Sequence, residues 1–216
     1  MSPSAVPSPA IPAPHANGKP SPSSSSSSSS RQDATTTALA NGASSQIPAW
    51  VQPDLSRLLR VEHNPGSFTS RSVSLVRLGP GALFARITNP TPATVAYSSV
   101  QAARDLHIEL NSDLVYINHS CAPSLVFDMA RWEIRVSDKA GGLAEGDELT
   151  FFYPSTEWVM AQPFDCFCKT AECVGRVGGA RDMDKVVLGR YWLNRHVEEL
   201  LLLLLEADEE EKRTKA

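Results

Sequence analysis

The sequence predicts a mainly β fold of the α+β class, built of short strands and closed by one C-terminal α-helix. Three observations carry that expectation. Apolar and polar residues alternate with a period near two in several short runs between residues 72 and 153. Glycine- and proline-containing turn signals separate those runs. No long helical pattern precedes residue 182.

The first 46 of the 216 residues are rich in Pro, Ser and Ala, with serine at every position from 23 to 30. So few large apolar side chains cannot offset chain entropy, and residues 1–46 are expected to form a disordered tail. The tail lacks the charged start and apolar core of a secretory signal. Its only lysine and arginine, Lys19 and Arg31, make a transit peptide the less favoured reading. A nuclear or cytoplasmic location is therefore expected, not a secreted one. The remainder is large enough for one core-bearing domain.

Residues 47–65 contain Pro48, Pro53 and Pro65 and read as an irregular lead-in, with one helical turn near residues 55–60. Val73 and Leu75 then alternate with Ser72 and Ser74, Gly79-Pro80-Gly81 signals a turn, and residues 82–87 form a second apolar run. Together these predict a hairpin. Asn89-Pro90-Thr91-Pro92 interrupts the pattern. Leu106, Ile108 and Leu110 alternate with His107, Glu109 and Asn111 as in a half-buried strand, and residues 125–127 make a short apolar one. Trp132, Ile134 and Val136 alternate with Arg131, Glu133 and Arg135. After turns at Gly141-Gly142 and 145–147, a strand over 148–153 is ended by Pro154.

The last segment differs. Asp182 and Asp184 suit a helix N-terminus, and Leu193, Val197, Leu200, Leu201 and Leu204 share one helical face. Asp208 with Lys212, Glu209 with Arg213 and Glu211 with Lys215 are acid-to-base pairs one turn apart. Six consecutive leucines, 200–205, wrap the whole circumference. They fit either deep packing or a self-association or partner face.

Net charge is −4, so no basic surface advertises nucleic-acid binding. The longest apolar run is that leucine run, far short of a bilayer span, so no membrane partner is expected.

Chemistry concentrates at Tyr116-Ile117-Asn118-His119-Ser120-Cys121-Ala122-Pro123. An amide, an imidazole, a hydroxyl and a thiol in succession need partners if buried. On an extended backbone Asn118 and Ser120 face one way, His119 and Cys121 the other. Such a stretch joins a hydrogen-bonding site to a metal site, or is a polar loop between strands. The four cysteines are Cys121 and the cluster Cys166, Cys168 and Cys173. Structural zinc takes four tetrahedral ligands, and these four thiols either supply them or are inert buried groups. Bound zinc would pin residues 166–173 against Asn118 and His119, as a lid over a site. Cys121 as nucleophile with His119 as base is a rival hydrolase reading, but it leaves three cysteines and Tyr153 without a role.

Three motifs resemble those of SET-domain protein lysine methyltransferases. Asn118-His119-Ser120-Cys121-Ala122-Pro123 is similar to the family's NHSCxPN motif, and residues 146–153, GDELTFFY, to its GEELTxDY motif. CFCKTAEC at 166–173 resembles the post-SET CxCxxxxC. The clear resemblance covers about residues 105–176, and a cysteine-rich pre-SET region is lacking. It implies a SET-type β-clip fold in which the NHSC and tyrosine segments are threaded as a pseudoknot. The partition is a SET domain over 47–160, a post-SET zinc segment over 161–180, and a helix with charged tail over 181–216.

The resemblance implies S-adenosylmethionine and a zinc ion as cofactors, and a histone or other protein with a target lysine as partner. It assigns Tyr153 to catalysis and Asn118, His119 and Phe167 to the cofactor. Tyr116, Phe151 and Phe152, with Phe164, are candidate walls of the lysine channel, and Cys121, Cys166, Cys168 and Cys173 are the zinc ligands. Departures cluster on the cofactor side. Residues 65–71 hold no clean GxG, Phe152 replaces the aspartate before the tyrosine, Ser124 replaces the last asparagine, and Lys169 stands where glycine is usual. These departures favour an alternative, a non-catalytic zinc-stabilised interaction module on the same fold.

Overall fold

The computed structural model describes residues 54–66 and 69–215; the expected tail over 1–46 lies outside the described residues. A 3₁₀ turn at Leu55–Arg57 leads into β1 (Leu59–Glu62), so the helical turn expected there is shorter and a strand follows it. Next come β2 (Arg71–Ser74), β3 (Leu83–Arg86), β4 (Thr91–Ala93), β5 (Val100–Ala103) and β6 (Leu106–Glu109). They are followed by β7 (Asn118–His119), β8 (Leu125–Asp128), β9 (Glu133–Val136), β10 (Glu148–Phe151), β11 (Phe164–Asp165) and β12 (Arg176–Val177). A short helix, α1 (Lys185–Leu188), and a long one, α2 (Arg195–Thr214), complete the chain. The mainly β, α+β class expected from the sequence is thus observed, with the strands in several small sheets.

The sheet that positions the site has the order β1-β2-β10-β7. Strand β10 runs antiparallel to β2, with Leu149 opposite Ser72, and parallel to β7, with Thr150 opposite Asn118 and Phe151 opposite His119. Parallel neighbours require a long connection, and here β8 and β9 provide it.

The hairpin expected from residues 72–87 does not form. Strand β2 sits between β1 and β10, whereas β3 pairs with β9. Ser72, Val73 and Ser74 are all buried, so the serine–valine alternation marked no solvent face. Gly81, at φ 70°, turns the chain away and donates its amide to the Val136 carbonyl at 3.0 Å, delivering β3 to β9. Pro92, read as an interruption, lies within β4, an edge strand where its missing N–H costs no ladder bond.

One apolar core gathers Leu59, Ile87, Ile108, Leu114, Ile117, Phe127, Ile134, Leu149 and Phe151 from several sheets. A smaller one unites Phe152, Ala180, Leu188 and Val197. Phe151 and Phe152, adjacent and pointing opposite ways, enter different cores.

The long helix starts later than the acidic residues suggest. Asp184 caps α1 instead, its Oδ1 accepting the amides of Val186 and Val187 at 2.7 and 3.1 Å. Buried Asn194 precedes α2 and ties it down: Oδ1 accepts the Met129 amide, and Nδ2 donates to the carbonyls of Phe127 and Ser155, all at 2.9 Å. Deep packing of the leucine run is not observed. Val197 is buried and Leu201 touches the smaller core, but Leu202 is 59% exposed and Leu203 and Leu205 are also exposed. Glu209 pairs with Arg213 and Glu211 with Lys215, whereas Asp208 reaches Lys185 of α1 at 3.1 Å rather than Lys212. Among the described residues no helix is long and apolar enough to cross a membrane.

Candidate functional site

The two residues of β7 carry the polar tetrapeptide into the structure. Asn118 Nδ2 donates to the Ser70 carbonyl at 2.7 Å, fastening the segment that follows β1. His119 is buried, with Nδ1 accepting the Tyr153 amide at 3.2 Å and Nε2 facing Cys121 Sγ at 3.3 Å. The backbone donor assigns the ring proton to Nε2. His119 and Cys121 therefore share a side, as the extended-backbone reading expects. Burial pushes the imidazole down to about 4, so it is neutral at physiological pH.

Parallel pairing of β7 with β10 sets Tyr153 beside this segment. Its hydroxyl donates to the Ile117 carbonyl at 3.3 Å. Burial, and then the negative charge of Glu157, push that hydroxyl well above the ordinary phenol range, so it keeps its proton. The ring lies 4.7 Å from that of Phe151, which in turn lies 4.0 Å from Phe127. Tyr153 thus emerges from an aromatic wall.

Cys121, Cys166, Cys168 and Cys173 converge, all four sulfurs lying within 4.8 Å of one another. Zinc–sulfur bonds of about 2.3 Å at tetrahedral angles place sulfurs about 3.8 Å apart, and Cys121 and Cys166 Sγ stand at 3.8 Å. Ligand number, type and spacing fit one tetrahedral metal ion. Burial pushes the Cys121 thiol up to about 11. At Cys168 burial acts the same way but is outweighed by hydrogen bonds with Thr170, Cys121 and Cys166, bringing that thiol to about 6. A divalent cation among these sulfurs favours their thiolate forms throughout. Lys169, at φ 59°, occupies a conformation that glycine adopts without strain.

A cavity of about 1160 Å³ is lined by Asn118, His119, Phe151, Tyr153, Phe164 and Phe167, with Cys166 and Cys168 at its edge. Phe167 itself is 83% exposed. Two sequence-selected aromatics are not among its lining residues. Phe152 stacks on Tyr191 in the smaller core, centroids 3.6 Å apart, because it points oppositely to Phe151. Tyr116 stands edge-on to His63 at 5.3 Å. Of the four aromatics selected from the sequence, Phe151 and Phe164 line this cavity and Tyr116 and Phe152 do not.

Sequence reasoning missed Glu157, a buried carboxylate that also lines the cavity. Its Oε1 accepts the Gln101 amide at 2.8 Å and the Thr156 hydroxyl at 3.1 Å, while Trp158 N donates to Gln101 Oε1 at 2.8 Å. Burial raises its carboxyl to about 7 despite those hydrogen bonds. Its partner lies 56 positions earlier, so no local spacing marks it.

The comparisons agree with the chemistry these residues suggest. No protein-family model matches the chain. The methyltransferase flvH of Aspergillus flavus is 54% identical over 159 residues, covering 73% of this chain and 89% of that protein. The histone-lysine N-methyltransferase ash1 of Drosophila melanogaster is 31% identical over 75 residues, which is 32% of this chain and 3% of ash1. On the strength of the first relative, the chain belongs to the same family of methyltransferases as flvH.

Proposed function

We propose that this chain carries a SET-type fold and transfers the methyl group of S-adenosylmethionine to a lysine amine of a protein, in the nucleus or cytoplasm. One observation carries the reading: Asn118, His119 and Tyr153 line a single cavity that Cys166 and Cys168 of the four-cysteine cluster also line. The stretch shared with ash1, named a histone-lysine N-methyltransferase, supports protein lysine as acceptor.

Methyl transfer from a sulfonium is an in-line displacement, so the protein's task is to position two reactants and exclude water. S-adenosylmethionine supplies an electrophilic methyl carbon. Asn118 and His119 are assigned to hold it, with Phe167 covering it from the cysteine segment, and the cavity's size fits such a ligand. The four thiolates would hold zinc and so fix that segment against β7. On the acceptor side, Phe151, backed by buried Phe127, and Phe164 make an apolar wall that favours the neutral amine. The Tyr153 hydroxyl, donating to Ile117, keeps lone pairs free to accept an amine N–H and so aims the nitrogen lone pair along the displacement axis.

The test is to incubate the purified chain with methyl-labelled S-adenosylmethionine and candidate proteins, and to read lysine methylation by mass spectrometry. Label on lysine supports the reading. Cofactor bound in calorimetry with no lysine labelled across a broad lysate would favour the non-catalytic interaction module instead.

A further inference from the structure

Glu157 has two oxygens with unequal surroundings. Among the described residues its hydrogen bonds fall on Oε1, which accepts from Gln101 and Thr156. Oε2 is left with His107 Nδ1 at 3.9 Å, too far for a hydrogen bond, and that nitrogen is itself buried without a partner. Oε2 is not among the fully buried unpartnered atoms of the described residues, so this donorless oxygen is open to the cavity that Glu157 lines. The latch between Gln101 and residues 157–158 needs only a neutral carbonyl, so it gives no reason for the negative charge. That charge stands in the wall of the cavity that Tyr153 also lines, one turn further along the same segment, with Glu157 N donating to the Tyr153 carbonyl at 3.0 Å.

We infer that Glu157 is the recognition group for a protonated amine entering this cavity, its Oε2 accepting an ammonium N–H opposite the Tyr153 hydroxyl. The inference rests on the methyl-transfer reading and narrows its acceptor to a primary or secondary amine that arrives as a cation. A proton step follows from the same contact. One ammonium N–H bond breaks, its electron pair stays on nitrogen as the nucleophilic lone pair, and the proton passes to Oε2, so that ammonium plus carboxylate become amine plus carboxylic acid. The charge balances, and the carboxylic acid returns its proton to solvent once the product leaves. The raised carboxyl of Glu157 brings it towards an amine whose own pKa the apolar wall lowers. The other titratable groups facing it are Tyr153 on its own segment, His107 of β6 and His196 of α2, whose Nε2 bonds the Thr156 carbonyl at 2.8 Å. Both histidines are held below their ordinary range by burial, so neither adds a competing positive charge at neutral pH.

The probe is n-butylammonium, which matches the end of a lysine side chain, against n-butanol, its neutral counterpart. Calorimetry on the full chain at pH 8 should show the ammonium binding at least tenfold more tightly than the alcohol. Glu157→Gln, which keeps an acceptor for Gln101 and Thr156, should abolish that preference while leaving the thermal midpoint and circular dichroism close to wild type. Wild-type protein that binds both probes equally overturns the inference without any variant, and so does a folded Glu157→Gln protein that still prefers the ammonium. The two readings fail separately. An amine preference with no methyl transfer to any acceptor removes the methyltransferase reading and leaves Glu157 standing, whereas methyl transfer without an amine preference removes Glu157 alone.

Discussion

His119 Nδ1 accepts the backbone amide of Tyr153 at 3.2 Å, and this one bond joins three parts of the site. It fixes the ring so that Nε2–H faces Cys121 Sγ at 3.3 Å. It also registers the tyrosine segment against β7, beyond the two residue pairs of the β7–β10 ladder. Anything that moves the cysteine cluster is thereby felt at Tyr153.

The first prediction concerns that cluster. Protein purified without chelator should contain one zinc per chain by elemental analysis, and Cys168→Ser should lose or weaken it. The thermal midpoint should fall with the metal, since binding energy at a closed structural site is folding energy. Wild-type protein free of metal would remove zinc from the account.

The sequence made the chemistry more readable than the topology. Asn118, His119, Cys121 and the three downstream cysteines could be picked out because unusual side chains stood at short, fixed spacings, Tyr153 was marked by the family resemblance, and the structure brings them together. The strands over 106–109 and 133–136 followed from alternation, that over 125–128 from a short apolar run, and that over 148–151 from the turns and the proline that bracket it. What failed were pairings and depths. Residues 72–87 hold two strands and a turn, yet each strand finds a distant partner, a choice that long-range packing makes. Phe151 and Phe152 look equivalent in sequence, and only the strand's facing separates a cavity wall from a second core. The burial of Glu157 is likewise created by a contact 56 positions away.

The second prediction is kinetic. Tyr153→Phe removes the hydroxyl that donates to the Ile117 carbonyl while keeping the ring packed against Phe151. Loss of an orienting hydrogen bond in the transition state costs about tenfold in rate per ~1.4 kcal/mol. Methyl transfer should fall by about two orders of magnitude or more, with S-adenosylmethionine affinity in calorimetry nearly unchanged. Wild-type turnover in the variant would end the catalytic assignment.

A third prediction concerns stability. Asn194 is buried and makes side-chain hydrogen bonds to Met129, Phe127 and Ser155, coupling α2 to β8 and to the segment after Tyr153. Asn194→Ala leaves buried backbone groups unpaired, at roughly 2–4 kcal/mol in total. Urea denaturation should show the loss as a lower midpoint with unchanged slope. A substitution of exposed Leu202 to Ala should cost far less, and equal costs would mean that α2 is held by its leucines rather than by its cap.

The last prediction is a dependence on pH. Glu157 titrates at about 7 in the folded chain against 4.5 as an ordinary glutamate. Its folded value is raised, so the native state holds a proton that the unfolded state has already released. The stability it contributes is therefore fully present below pH 4.5 and is lost as pH rises through about 7, a change on the order of 3 kcal/mol. Half-buried His107 and buried His196 act with the opposite sign: their folded values are lowered, so they destabilise the fold as pH falls below the ordinary histidine range. Between pH 5 and 6.5 the two effects oppose each other, and the wild-type profile alone would look flat. Subtracting the profile of Glu157→Gln cancels the histidines and isolates the carboxylate. Measured by urea denaturation at fixed pH, the stability of wild type relative to the variant should decline steadily from pH 4.5 to 7 and level off above about 7.5. A difference that stays constant over that range would mean that Glu157 titrates as it does in water, and the desolvated carboxylate in the cavity wall would have to be abandoned.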